Sequence, residues 1–167
     1  MTSLVPTSRF VLLACLPLGL AVLGAVVEPL RATALGVDVG LVALAVLDAF
    51  SVRRAVLHIT RRVRPTWSVN RVEKVMLDVS NSSGRTLRAS VHQTLFDGAE
   101  AEGLPQEVRL GARALLEFRV KARERGRRVL GDHHVRIAST LGLWQRQIDI
   151  PAADVVQVWP DVKALTQ

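Results

Sequence analysis

Asp78-Val79-Ser80-Asn81-Ser82 places one carboxylate and two hydroxyls at alternate positions after the apolar run Val75-Met76-Leu77. Oxygen donors spaced this way at the end of a strand are the raw material of a divalent-cation site. A hard cation such as Mg²⁺ demands a near-octahedral set of oxygens, and this group supplies too few. The residues after Gly84 also alternate as another strand instead of opening a helix. The stretch is therefore expected to be a strand running into a turn, with no metal. Asn81 and Gly84 supply the turn conformations, Val75, Leu77 and Val79 face the core, and Asp78 and Ser80 face solvent. Asn81-Ser82-Ser83 is a glycosylation sequon that stays silent in a cytoplasmic domain.

Other reactive types are sparse. His133 and His134 are adjacent, so in a strand their rings point to opposite faces and cannot share a metal; surface positions flanking a turn are expected for both. His58 and His92 are far off in sequence. No nucleophile elbow, phosphate-binding loop or dinucleotide fingerprint occurs, and the carboxylates are scattered. No catalytic residue, cofactor site or metal site is expected, and the chain does not read as an enzyme. The lone cysteine, Cys15, excludes an internal disulfide and a multi-thiolate zinc site.

Charge is distributed unevenly. Residues 1–51 carry only Arg9, Glu28, Arg31, Asp38 and Asp48, while residues 52–167 hold 20 Lys/Arg against 12 Asp/Glu. Two basic runs stand out as contacts for a partner or lipid. One comprises Arg53, Arg54, Arg61, Arg62 and Arg64; the other comprises Lys121, Arg123, Arg125, Arg127 and Arg128. The first suits anionic headgroups, at roughly 1 kcal/mol per nearby cation. It suits nucleic acid less well, because few aromatics interleave with it. The second reads as a strand-turn-strand ridge, either a solvated tip or a docking surface for an acidic partner or lipid.

These runs need elements to carry them. Phe10–Val27 is free of charge over 18 residues and would reach about 27 Å as a helix, near the ~30 Å of a hydrocarbon core. Glu28-Pro29-Leu30-Arg31 reads as the break, and a second apolar run covers about 32–50. Asp38 falls near its start and Asp48 near its end, where Asp48 is placed to pair with Arg53. A cleaved signal peptide ending at Leu23-Gly24-Ala25 would leave the second run stranded, so two transmembrane helices forming a hairpin over residues 1–52 are expected. The arginines after the second run are expected to place both termini in the cytoplasm, with the short turn outside.

Residues 53–167 alternate with a period of two. Val75/Leu77/Val79, Leu87/Ala89/Val91/Leu95, Ala114/Leu116/Phe118/Val120, Val135/Ile137, Ile148/Ile150 and Val156/Val158 form apolar faces. Turn residues separate them at Asn81–Gly84, Asp97-Gly98, Arg125-Gly126, Gly131-Asp132, Leu141-Gly142 and Pro151–Asp154. The expected domain is mainly β, an immunoglobulin-like antiparallel β-sandwich of about seven strands. Residues 97–109 are the least regular part, with room for a short helical turn.

In that order the features resemble the bacterial family labelled domain of unknown function number fifty-eight. The residues are Val75–Ser82, a strand ending in an Asn-Ser turn; Arg123–Gly131, an Arg-Gly turn followed by a strand and glycine; Leu141-Gly142-Leu143-Trp144-Gln145-Arg146; and Val158-Trp159-Pro160. Ser139-Thr140 departs from the Asp-Pro common in the family before Leu-Gly-Leu. The family places a von Willebrand A-like domain, which carries an Asp-x-Ser-x-Ser strand leading into a helix, after the segments matched here. The resemblance implies a membrane-anchored, non-catalytic accessory module that assists a MoxR-type AAA+ ATPase in assembling or maturing protein complexes. A basic domain binding anionic lipid or nucleic acid is the alternative.

Overall fold

The computed structural model describes residues 2–160, which fall into two compact units. One comprises Thr2–Arg54 and Ile137–Gln147. The other comprises Ala55–Arg136 and the chain from Ile148.

The first unit is built on two helices, α1 (Ser8–Leu23) and α2 (Glu28–Arg53), preceded by the strand β1 (Thr2–Pro6). Thr7 caps α1, its hydroxyl accepting from the Phe10 N–H at 3.4 Å. Among the described residues only α2, at 26 residues, is long and apolar enough to cross a membrane; α1 has 16 residues, about 24 Å. This corrects the expectation of two spanning helices. The position of the break also differs. Glu28-Pro29-Leu30-Arg31 is the first turn of α2, and the connection lies at Gly24–Val27. Proline is well placed in a first helical turn, where its missing N–H has no partner to lose, and Glu28 complements the positive end of the helix dipole. Arg31 folds back over the connection and donates from Nε to the Gly24 carbonyl at 2.7 Å. A Cβ on Gly24 would sit 2.9 Å from the Arg31 nitrogen, so only glycine permits this approach.

The second unit is mainly β. Its four-stranded sheet has the order β2-β4-β8-β6, formed by Leu57–Arg62, Val72–Asn81, Arg113–Ala122 and Ala99–Glu102. All of its pairings are antiparallel. The register sets Val75 opposite Phe118 and Leu77 opposite Leu116, all buried, so alternation turns one face of the sheet into core. A three-stranded sheet orders β3 (Thr66–Ser68), β12 (Asp154–Trp159) and β9 (Gly126–Leu130). Here β12 is antiparallel to β9 but parallel to β3, a departure from the all-antiparallel expectation. A third group runs β10 (His133–Ala138), β5 (Leu87–Gln93), β7 (Gln106–Leu110). β11 (Trp144–Ile150) follows β10, and both strands continue across the boundary between the units. Trp67, Val91, Leu110, Leu130, Val156 and Val158 complete the core.

From Leu57 on, the described residues hold eleven strands, where about seven were expected. Part of the difference is the 97–109 stretch, which forms β6 and β7 and no helical turn. In β6, Ala99 and Ala101 are half-buried and Glu100 and Glu102 exposed, an alternation that small residues make hard to read.

Candidate functional site

Arg123–Arg125 join β8 to β9, with Gly126 at φ 119 completing the turn; the two strands belong to different sheets, so the expected strand-turn-strand ridge is a connection between sheets. Its cations do not act as one ridge. Arg123 is clamped to Glu100 through Nε at 2.7 Å and Nη2 at 2.6 Å. Arg128 reaches Glu124 at 2.5 Å and lies over the Phe96 ring, 5.9 Å from its centroid. Phe96 itself packs on the buried Trp67, at 6.2 Å between centroids. These two arginines hold the β8–β9 turn together, and Lys121 is half-buried. Arg125 and Arg127 are exposed and make no ion pair among the described residues. A groove of about 690 Å³ beside the turn is lined by Asn70, Arg123, Glu124, Arg125, Arg128 and Pro160.

The run after α2 separates into three environments. Arg53 and Arg54 are exposed at the end of the helix, with the Arg53 guanidinium 5.4 Å from the Phe50 ring centroid. Arg61 is not a surface contact, which corrects the sequence expectation. Its side chain is 1% exposed because β2 turns Leu57, Ile59 and Arg61 to the same side. It donates to the Gly131 carbonyl at 2.6 Å and pairs with Asp154 at 3.2 Å. Burial lowers its affinity for the proton, and Asp154 and Asp132 oppose that change. Arg62 points outward toward Asp78 at 3.5 Å, and Arg64 is exposed.

The Asp78 motif is spent on structure. Arg113 grips the carboxylate with both Nε, at 2.6 Å, and Nη2. Hydrogen bonding to that guanidinium holds the Asp78 carboxyl below its usual range. Asp78 is thus covered by arginine and buried at the residue level, not solvent-facing as expected. Asn81 Oδ1 accepts from the Ser83 N–H at 3.0 Å, while its Nδ2 donates to the carbonyls of Arg85 and Gly111 at 2.7 and 2.8 Å. Among the described residues no three His, Cys, Asp or Glu side chains converge to hold a metal.

His133 and His134 do face opposite ways, but only His134 is at the surface. His133 is 1% exposed, and its Nε2 lies 3.4 Å from Arg61 Nη2. Burial first, then the Arg61 charge, pushes it down to about 4. On the neighbouring strand β5, Gln93 is buried at an inward position with neither amide atom partnered among the described residues. His134 links Thr94, at 2.8 Å from Nε2, to Asp149, at 2.7 Å from Nδ1. This has the order of a hydroxyl–imidazole–carboxylate relay. The His134 and Asp149 side chains are 40% and 44% exposed, so water competes for each bond and the trio serves to link strands.

The arrangement that sequence reasoning missed lies in the helical unit. Asp48 does not use Arg53. It is 3% exposed and accepts from the Ser139 hydroxyl at 2.5 Å and from the Leu141 and Leu143 N–H groups at 2.8 and 3.1 Å. Trp144 Nε1 donates to the Ala45 carbonyl at 2.8 Å, and Arg146 to the Arg53 carbonyl at 2.7 Å. The start of α1 meets the same segment. Thr7 donates to the Gly142 and Leu143 carbonyls, and Phe10 packs on Trp144 at 5.2 Å between centroids. Ser139–Arg146 therefore holds the first turn of α1 and the last turns of α2 together.

No protein-family model matches the chain, and no curated protein does. Among solved structures the chain is similar to the CARDB domain of the PF1109 protein from Pyrococcus furiosus, solved in complex with di-metal ions. Identity is 15% over 64% of this chain and 90% of that one, at a TM-score of 0.43. The SrpA adhesin from Streptococcus sanguinis is 10% identical over 65% of this chain and 59% of that one, at 0.36. Domains 4 and 5 of the S-layer protein SbsC are 14% identical over 62% and 53%, at 0.33. The mainly β assignment rests on the strand pairing itself.

Proposed function

We propose that the chain is a membrane-anchored, non-catalytic interaction module. The observation that carries this reading is the outer surface of α2. Leu35 and Leu47 are 67% and 68% exposed, and Val39, Val42 and Val46 are exposed beside them. A helix this long and this apolar over its exposed surface is at home in hydrocarbon, not water. The Ser139–Arg146 clasp supports the orientation, because it gathers the start of α1 and the end of α2 at one end of the hairpin. In a membrane, the chain before α1 and the chain after α2 then lie on the same side. The arginines after α2 favour the cytoplasmic face of a bacterial inner membrane. In this reading α2 crosses and the shorter α1 inserts beside it. The β unit is an immunoglobulin-like sandwich that displays Arg125, Arg127 and the neighbouring groove to a partner. The four short motifs shared with domain-of-unknown-function family fifty-eight make a MoxR-type AAA+ ATPase the partner to test first.

A reporter active only in the periplasm, fused after Gln167, should be silent, and the chain should stay with membranes through alkaline carbonate. An active reporter sinks the orientation; release by carbonate sinks the anchor. The second reading, attraction to anionic lipid or nucleic acid, draws on the exposed Arg53 and Arg54 beside the end of α2. Binding that collapses as salt rises would favour it over an apolar protein interface.

A further inference from the structure

A groove of about 750 Å³ runs between α1 and α2. Its floor is of small residues, Ala14, Pro17 and Ala21 on α1 and Ala34 on α2, with Leu18 and Leu35 also lining it. Asp38 lines the same groove, and Arg31 closes it at the hairpin connection. Asp38 lies ten residues into α2, about 15 Å along its axis and half the thickness of a hydrocarbon core. Among the described residues it has no hydrogen bond or ion pair. Arg31 cannot serve it, being seven residues away and committed to the Gly24 and Ala25 carbonyls. Pro17, at the same groove, also cannot donate the helical hydrogen bond that the Leu13 carbonyl would otherwise receive. Two acceptors thus sit near mid-depth on a hairpin whose outer faces are apolar.

We propose that this groove receives a transmembrane helix of another membrane protein, one that brings a lysine or arginine to the level of Asp38. The inference rests on the membrane reading above. An unpaired carboxylate at mid-membrane is costly, and such residues pair within helix assemblies. The small residues allow close approach of a third helix. The alternatives fit less well. A lipid headgroup cannot carry its cation to this depth, and an acyl chain cannot neutralise Asp38. A second copy related by a two-fold axis along the membrane normal would set Asp38 against Asp38, since neither Arg9 nor Arg31 lies at that level.

The test uses the full chain in neutral phosphatidylcholine vesicles, so that lipid charge plays no part. The probes are synthetic Leu/Ala helices of about 20 residues with either one central lysine or a central leucine. Partitioning of the chain into vesicles is measured first, and its failure overturns the membrane reading and this inference together. Given partitioning, association is read by energy transfer between labelled chain and labelled probe. The lysine probe should bind about tenfold more tightly than the leucine probe. Asp38→Asn, which keeps the shape of the side chain, should erase the difference. Ala34→Leu, which fills the groove, should weaken both probes. Equal binding of the two probes, or a preference that survives Asp38→Asn, overturns the groove proposal while leaving the anchor intact. Self-association through Asp38 that excludes the probe overturns it as well.

Discussion

Asp48 Oδ2 and Ser139 Oγ lie 2.5 Å apart although 91 residues separate them, and the pair is buried. The same carboxylate holds the Leu141 and Leu143 N–H groups, so it supplies the local hydrogen bonds that the Ser139–Leu143 turn cannot make for itself. Asp48→Ala leaves three donors without their acceptor. With a buried unsatisfied donor costing ~1–3 kcal/mol, a total loss of about 3 kcal/mol is expected after water reaches the more exposed of them. The loss is local. Amide exchange at Leu141 and Leu143 should accelerate by about two orders of magnitude, while exchange in β4 and β8 stays unchanged. Unaltered protection at Leu141 and Leu143 would show that the turn holds without Asp48. Asp48→Asn, with one acceptor oxygen left, should fall between the two.

His133 makes stability depend on pH in a defined window. Its imidazole feels the charges of Arg61, Asp154, Asp132 and, more weakly, His134, and burial together with Arg61 depresses it from 6.5 to about 4. Between these values the unfolded chain binds the proton and the folded chain does not. Stability is therefore full above pH ~6.5, falls as the pH drops, and the loss is complete below ~4. At ~1.36 kcal/mol per unit the contribution is at most roughly 3 kcal/mol. Urea melts from pH 7.5 to 4.5 should show this slope in wild type and lose most of it in His133→Gln. The carboxylates Asp78 and Asp149, held below 3.8 by Arg113 and His134, add acid sensitivity only at lower pH, outside the window. An identical slope in both proteins would assign it elsewhere.

Asp78 and Arg113 replace the metal that the Asp-x-Ser-x-Ser spacing first suggests. Millimolar Mg²⁺ or Ca²⁺ should leave the melting temperature of the wild type unchanged, and the same should hold for Asp78→Ala. Removing the carboxylate should destabilise the β unit at neutral pH, because Arg113 and Arg62 then face one another without their shared anion. The destabilisation should shrink as salt is raised. A cation-dependent rise in melting temperature that disappears in Asp78→Ala would restore the metal reading.

Much of the β unit is legible in the sequence because its inward positions are apolar at period two. Val75/Leu77/Val79 and Leu116/Phe118/Val120 mark β4 and β8 by alternation alone. The same rule fails where an inward position is polar. Arg61, Gln93 and His133 occupy such positions, and a reading by polarity assigns them to solvent. Their neighbours lie far along the chain: Gly131, between β9 and β10, and Asp154 for Arg61, and Arg61 itself for His133. The parallel pairing of β3 with β12 is likewise set by tertiary contact, since three residues around Trp67 carry too little pattern. In the helical unit, hydropathy finds both helices but misplaces the break, because Pro29 opens a helix as readily as it ends one. Local spacing pairs Asp48 with Arg53, whereas its partners lie more than ninety residues on.

The basic β8–β9 turn separates arginines that hold structure from arginines free to bind. Arg123 and Arg128 are each paired, and Arg128 also covers Phe96. Arg125 and Arg127 are exposed without an ion pair among the described residues. An exposed pair in water contributes ~0.2–1 kcal/mol, so each free arginine is expected to add up to about fivefold to the affinity for an acidic probe. Short polyglutamate binding to the full chain in neutral detergent should weaken several-fold in Arg125→Gln/Arg127→Gln at low salt, with the melting temperature unchanged. Arg123→Gln/Arg128→Gln should lower the melting temperature instead, because it loosens the β8–β9 turn and uncovers Phe96 and, beneath it, Trp67. Raising the salt should erase the difference between wild type and the first variant, since exposed charges are screened beyond ~10 Å at 0.1 M. Equal loss of binding from both double variants, with equal loss of stability, would mean that the four arginines act as one structural unit and that the turn has no dedicated contact surface.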